Sequence, residues 1–245
     1  MKCLVLAAGY ATRLYPLTKN FPKPLLKVGE KSIIDWLLDD IEACGRINEY
    51  IVISNHKFAE VFYKWSKTKS YKIKVLDDGT ESNESRLGAV KDISLAVDSL
   101  EINDDMLVIA GDNVLDFSLC RFMEYAENKK TSCVMRYYEA SEEKLRKCGV
   151  LSVNEDDLVV EMEEKPAVPM SHWCCPPFYY YVKEDVKLIK RGLESGCGSD
   201  APGSYIAWLC RQRLVHAMKM PGKRYDIGDL KSYERVGIEY KGILQ

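Results

Sequence analysis

The segment from Leu6 to Leu25 carries side chains and spacings suited to holding an anion. Small residues at Ala7, Ala8, Gly9 and Ala11 let backbone N–H groups approach a phosphate without a bulky side chain in the way. Arg13 and Lys23 add two cations to the same stretch. The chemistry this favours is phosphate cradling. The pattern is not a Walker A loop, which needs G-x-x-x-x-G-K-[ST], nor the dinucleotide fingerprint, whose three glycines open directly into a helix. Pro16, Pro22 and Pro24 instead keep the stretch out of regular helix. Taken singly, Gly9 reads as a tight turn and Lys23 as a solvated loop charge. Together they read as a binding loop.

Three further groups stand out. Asp112 follows Gly111 at the end of the apolar run Met106–Ala110, Asp226 stands in Asp226-Ile227-Gly228, and Glu164-Lys165-Pro166 closes an acidic cluster. Alone, an aspartate after a strand reads as a turn or helix cap, and the cluster as a solvated patch. At the C-terminal end of a parallel strand, however, Asp112 shares a sheet edge with the first loop, where open α/β sheets bind ligands.

The elements that must position these groups follow from periodicity. Short apolar, β-branched runs alternate with stretches of helical period, which predicts an α/β fold with a mixed, mostly parallel sheet between helices. Strands are expected at 2–6, 50–54, 71–76 and 106–110. Helices are expected from 33 with Ser32 as cap and Gly45 as stop, at 56–66, at 86–97 and at 117–128. Later come strands at 132–137, 178–182 and 214–220, helices at 205–211 and 233–240, and an inserted β-hairpin from 149–153 and 158–162. One domain over 1–245 is expected.

Composition narrows the function. The 245 residues are 47% hydrophobic, with 35 Lys and Arg against 37 Asp and Glu, a formal net charge of -2. That balance offers no broad field for a nucleic-acid backbone. Nine cysteines without a C-x-x-C pair, and only three histidines, fit neither a disulfide framework nor structural zinc. Cys174 and Cys175 read as small buried hydrophobes. The first apolar run is shorter than a signal peptide's, and no stretch approaches a membrane span. The expectation is a soluble cytoplasmic protein acting on small molecules, with no membrane or nucleic-acid partner.

The loop at 6–25 resembles the L-A-A-G-x-G-T-R-L-x-P-x-T-x-x-x-P-K-P-L signature of the sugar-phosphate nucleotidylyltransferases, the nucleotide-sugar pyrophosphorylases typified by glucose-1-phosphate thymidylyltransferase. Ala11 stands where that family usually has a second glycine. The resemblance continues through Gly111-Asp112, Cys148-Gly149-Val150, Glu164-Lys165-Pro166 and Asp226-Ile227-Gly228, over about residues 1–240. It implies a Rossmann-like three-layer domain of the nucleotide-diphospho-sugar transferase type. Residues 1–115 would form the nucleotide-binding half and 116–245 the acceptor-binding half, with no C-terminal acyltransferase-type β-helix. It also implies that Ala7, Ala8, Gly9, Tyr10, Ala11, Thr12, Arg13, Lys23, Gly88 and Asp112 meet the nucleotide. Asn113, Gly149, Glu164 and Lys165 would meet the acceptor, and Asp112 and Asp226 would hold Mg²⁺, a hard cation that prefers oxygen ligands. Arg13, Lys23, Asp112 and Lys165 then carry the chemistry.

The activity implied is transfer of a nucleoside monophosphate from an NTP, dTTP or UTP by preference, to a sugar 1-phosphate, with release of pyrophosphate. Such chemistry depends on positioning and charge neutralisation, and needs no protein nucleophile. Departures bear on the acceptor: Cys148 replaces an aromatic residue, and Trp173-Cys174-Cys175-Pro176-Pro177 stands near an expected N-x-G. Three alternatives follow. One is a cytidylyltransferase using a non-sugar acceptor such as phosphocholine or a phosphonate. The second is a non-catalytic nucleotide-sugar-binding regulatory subunit. A glycosyltransferase is the third, although Gly111-Asp112-Asn113 lacks the D-x-D it needs. A homo-oligomer is compatible with all of them.

Overall fold

The computed structural model describes residues 1–243. The chain starts with β1 (Lys2–Leu6), the short strands β2 (Lys27–Val28) and β3 (Lys31–Ser32), and α1 (Ile33–Ala43). β4 (Glu49–Ser54), α2 (His56–Ser66), β5 (Ile73–Asp77), α3 (Ala89–Ser99) and β6 (Met106–Ala110) follow. After β7 (Asn113–Leu115) come α4 (Cys120–Lys129), β8 (Ser132–Tyr138), α5 (Glu142–Leu145), β9 (Gly149–Val153) and β10 (Val159–Glu164). The remainder is β11 (Trp173–Cys175), β12 (Phe178–Tyr181), α6 (Lys183–Val186), α7 (Ile189–Glu194), α8 (Gly203–Leu209), β13 (Val215–Lys219), β14 (Arg224–Asp226) and α9 (Leu230–Glu239).

These elements form two compact units that interleave in sequence. The first comprises, among the described residues, 1–86, 110–121 and 221–243; the second comprises 87–109 and 122–220. The expected division at residue 115 therefore does not follow the packing, because β7 and β14 pair across more than a hundred residues of chain and return the C-terminal segment to the first unit.

In the first unit, β1 pairs in parallel with β4, and β4 with β5. Every residue of β4 is buried, as expected for a parallel strand covered on both faces. α1 buries Ile33, Ile34, Leu37, Leu38 and Ile41 at helical spacing, and Ser32 caps it by accepting from the Asp35 N–H. Asn55 caps α2 in the same way. One cluster joins Leu14 of the first loop to Ile33 of α1, Val114 of β7, Ile227, and Val236 and Tyr240 at the C-terminal end. Leu14 is 0% exposed, so it pins the loop to this core with a burial term of about 2 kcal/mol.

In the second unit, β12 pairs antiparallel with β6 and β8, β13 runs parallel to β8, and β11 joins β8 to the β9–β10 hairpin. The expected α/β fold with a mixed sheet and flanking helices is what the structure has. The hairpin extends the sheet through hydrogen bonds to β11 rather than lying over it.

Local differences from the expectation have physical causes. The helix expected from Arg86 starts at Ala89, because Gly88 takes a φ of +94° just before it. The helix expected from Phe117 starts at Cys120, whose N–H is capped by Ser118 Oγ at 3.1 Å. Trp173–Cys175, expected to interrupt the family pattern, is a strand, with Cys174 and Cys175 buried as small hydrophobes. Cys44 and Cys120 are disulfide-bonded with Cα atoms 5.6 Å apart, where the sequence suggested only free thiols. No helix among the described residues is long and apolar enough to cross a membrane.

Candidate functional site

Ala7, expected at the nucleotide, has its N–H tied to β4 by donating to Ile53 O at 2.9 Å, whereas beyond it carbonyls of the loop are engaged and the N–H groups at its tip are not. Asn55 Nδ2 donates to Ala8 O at 2.9 Å, and Thr18 Oγ1 donates to Ala11 O at 2.8 Å. The N–H groups of Gly9, Tyr10 and Ala11 meet no acceptor among the described residues. That polarity, oxygens tied and donors available, is what an anion requires. The Tyr10 ring is buried and its hydroxyl donates to Thr80 O at 2.8 Å, so this side chain anchors the loop and leaves only its backbone to a ligand. Ala11 sits in the left-handed region at φ 48°, ψ 43°, the conformation for which a glycine is the usual choice.

Lys23 is fixed by its two prolines. Pro24 packs against Gly111, where an added Cβ would lie 3.2 Å from the Pro24 ring, 3.1 Å from Val5 and 3.4 Å from Leu6 O. The Gly111 N–H donates to Leu6 O at 3.1 Å. The Gly-Asp dipeptide therefore lets the proline-flanked loop sit directly against the end of β1. Lys23, only 7% exposed, reaches Asp112 with Nζ at 2.8 Å from Oδ2.

Asp226 comes to the same place through the β7–β14 ribbon, where it is paired with Asn113, and the Ile227 N–H donates to Asp112 O at 3.3 Å. Two carboxylates thus stand together. Burial raises the Asp112 carboxyl, but the charge and hydrogen bond of Lys23, with Arg224 beyond, outweigh it and hold the group below its ordinary value. Asp226 goes the other way: desolvation first, then repulsion from Asp112, raise it against the pull of Arg224, Lys23 and Arg13. The Arg13 guanidinium lies beside Gly228, 3.8 Å from where a Cβ there would be. Asp229 is a helix cap: it accepts from the Ser232 N–H at 2.8 Å in a capping box for α9.

These residues fit a divalent ion of the hard kind. The pair offers oxygen donors only, and its two like charges repel. Among the described residues there is no cluster of three or more metal-ligating side chains, so an ion held by this pair would complete its shell with oxygens from outside the protein, as Mg²⁺ commonly does.

Asn113, expected at the acceptor, is 0% exposed with both amide ends engaged. Nδ2 donates to Asp112 Oδ1 at 2.6 Å, and Oδ1 accepts from Arg224 Nη1 at 2.7 Å. It supports Asp112 from behind. Arg224, which sequence reasoning missed, is drawn into the cluster by the same ribbon, a long-range pairing that no local motif announces.

The remaining residues lie in the second unit. Gly88 has backbone of Ser199 in the direction a Cβ would take, with Ser199 O only 2.6 Å away. Gly149 and Gly203 flank the Glu164 side chain: a Cβ at Gly149 would lie 2.9 Å from Glu164 Oε1, and one at Gly203 would overlap the same atom. Burial raises Glu164 to about 7, against Lys165 and a hydrogen bond from the Gly203 N–H, both of which lower it. Lys165 is exposed in the left-handed region at φ 51°, and its N–H donates to Cys148 O at 2.9 Å. The Tyr137 hydroxyl lies 3.6 Å from Cys148 Sγ, so an aromatic ring stands beside the position of the missing aromatic residue.

Comparison with known proteins bears on the family and the fold. Residues 2–241 match the family model described as nucleotidyl transferase. The chain is similar to the bifunctional protein GlmU of Methanocaldococcus jannaschii, 27% identical over 228 residues, covering 93% of this chain and 51% of that protein. It is also similar to a glucose-1-phosphate adenylyltransferase of Bacillus thuringiensis, 27% identical over 250 residues, covering 94% and 66%. The chain thus spans between half and two thirds of these relatives. Among solved structures it resembles UDP-glucose pyrophosphorylase complexed with UDP-glucose, with a TM-score of 0.81 over 98% of this chain and 97% of that one. At 20% identity that likeness carries the fold.

Proposed function

Because the chain belongs to the nucleotidyl transferase family, we propose that it transfers a nucleoside monophosphate from an NTP, dTTP or UTP by preference, to a sugar 1-phosphate, releasing pyrophosphate. The observation that carries this reading is the cluster of Lys23, Asp112, Asp226 and Arg13 beside a loop whose N–H groups are available. Both kinds of group are needed at a triphosphate: donors that grip oxygens and charges that offset the transferred phosphoryl group.

The backbone of Ala8 to Thr12 binds the triphosphate, and Arg13 draws the departing pyrophosphate toward the mouth of the loop. Lys23 exchanges its partner: in the free protein it neutralises Asp112, and with nucleotide bound it donates to the α-phosphate, where charge builds during the displacement. Asp112 and Asp226 are the groups that would hold Mg²⁺, which supplies further neutralisation of the phosphate oxygens when bound. Asn113 keeps Asp112 oriented rather than meeting the acceptor. By resemblance, the acceptor phosphate is assigned to Lys165, with Gly149 and Glu164 at the sugar and the Gly88 backbone at the base. A cytoplasmic location is part of the proposal.

The test is a matrix of the four common NTPs plus dTTP against glucose 1-phosphate, other sugar 1-phosphates and phosphocholine, read by pyrophosphate release. Turnover confined to a sugar 1-phosphate supports the proposal. Turnover confined to phosphocholine replaces it with the cytidylyltransferase reading, and nucleotide binding without turnover replaces it with a regulatory one.

A further inference from the structure

Arg224 and Asp226 stand two residues apart on one strand, so their side chains leave the same face of β14. Arg224 Nη1 lies 3.6 Å from Asp226 Oδ1 while donating to Asn113 Oδ1 at 2.7 Å. Asn113 relays that contact to Asp112 Oδ1 at 2.6 Å, and Lys23 holds Asp112 Oδ2 at 2.8 Å. Both oxygens of Asp112 therefore accept from protein donors, and the two carboxylates stand among the cations Lys23 and Arg224, with Arg13 also acting on Asp226.

We propose that Arg224 is a positioning residue that serves as the resident counter-ion of the Asp112–Asp226 pair and makes it a poor site for a free divalent ion, so that the ion enters together with nucleotide phosphates. The inference rests on the metal reading given above. A free ion approaching the pair must displace Lys23 from Asp112 and share Asp226 with a guanidinium that keeps its charge at any physiological pH. An ion carried by a triphosphate meets a different balance. The phosphates offer Lys23 a new anionic partner, which frees Asp112, and their negative charge offsets Arg224. Arginine suits this place because its planar fork can hold the Asn113 amide while lying against a carboxylate, two contacts that a single ammonium group makes less well.

Binding of Mn²⁺ alone, followed by the paramagnetic resonance signal of the free ion, tests the idea on the full chain. Wild type should bind Mn²⁺ weakly without nucleotide. Arg224→Met should bind it at least tenfold more tightly, about 1.4 kcal/mol, and Arg224→Lys should stay near wild type. Arg224→Gln, which keeps a donor for Asn113 but no charge, should follow Arg224→Met, and it decides the matter if the methionine variant does not fold. Binding by folded, uncharged variants that is no tighter than wild type overturns the proposal. Asp226→Asn separates the two levels of the argument. If it leaves Mn²⁺ binding in the presence of UTP unchanged, the metal assignment itself fails. If it weakens that binding while the Arg224 variants show no gain, only the counter-ion role fails.

Discussion

Replacing Gly88 by alanine separates two accounts of that residue. Family resemblance places it at the nucleobase, whereas the packing gives it a structural task. A Cβ there would lie 2.6 Å from Ser199 O, 2.8 Å from Ser199 C and 3.0 Å from Asp200 Cα. All three are backbone atoms, so no rotamer change relieves the clash. The segment cannot drift away freely either, because Ala89 N–H and Val90 N–H donate to Asp200 O and Ser199 O at 3.1 and 2.9 Å. To this overpacking, about 1–3 kcal/mol, must be added the strain of a φ of +94° in a residue with a Cβ, about 1–3 kcal/mol. The sum is about 2–6 kcal/mol. For a chain of 245 residues each kcal/mol lowers Tm by roughly 2–4 °C, so Gly88→Ala should melt at least 4 °C below wild type. Circular dichroism at 222 nm during heating measures this. A melting temperature within 1 °C of wild type, combined with a raised KM for nucleotide, would refute the packing argument and return Gly88 to a purely base-contacting role.

Two other perturbations follow from the same geometry. Lys23→Ala should lower turnover by roughly 10²–10³-fold, the usual loss when one transition-state charge partner is removed; an unchanged kcat would leave Lys23 as a structural partner of Asp112 alone. Glu164, raised from 4.5 to about 7 chiefly by burial, binds its proton more tightly in the folded than in the unfolded chain. Its contribution to stability is therefore fully present below about pH 4.5 and is lost as pH rises through 7, by up to about 3 kcal/mol. Urea unfolding at intervals from pH 5 to 8 should show that fall in wild type and a shallower one in Glu164→Gln, and parallel profiles would contradict the assignment.

What the sequence made legible was whatever is encoded locally. Small residues at 7, 8, 9 and 11, with a lysine between two prolines, announce a loop that the structure holds with donors available. The α2 boundaries follow from Asn55 and a clear apolar period, and both are where the sequence puts them. Asp112 and Asp226 were visible as motif positions. Their mutual approach is implied only by the family resemblance and not by any local pattern, since it depends on β7 pairing with β14 across more than a hundred residues. The same pairing explains why Asn113 was expected at the acceptor yet supports Asp112, and why Arg224 carried no signal at all. Gly88 shows the converse, a motif glycine whose neighbour Ser199 is remote in sequence. The Cys44–Cys120 disulfide, closing a separation of 76 residues, was hidden among nine cysteines without a pattern.

The departures from the family pattern have lost some of their force as evidence for an unusual acceptor. Cys174 and Cys175 lie in β11 and are buried, so the Trp173–Pro177 segment serves the sheet. Cys148 has the Tyr137 hydroxyl beside it. The hydrogen bond to Cys148, followed by burial, drives the Cys174 thiol well above the ordinary range, so Cys174 is no reactive thiol.

The central claim is that Asp112 and Asp226 jointly serve phosphoryl transfer from an NTP. Pyrophosphate release by wild type, Asp112→Asn and Asp226→Asn, each shown to be folded and assayed with Mg²⁺ and the best substrate pair, tests it most directly. Loss of at least 100-fold in turnover by both variants is the result the account predicts. Release near the wild-type rate by either variant would contradict it.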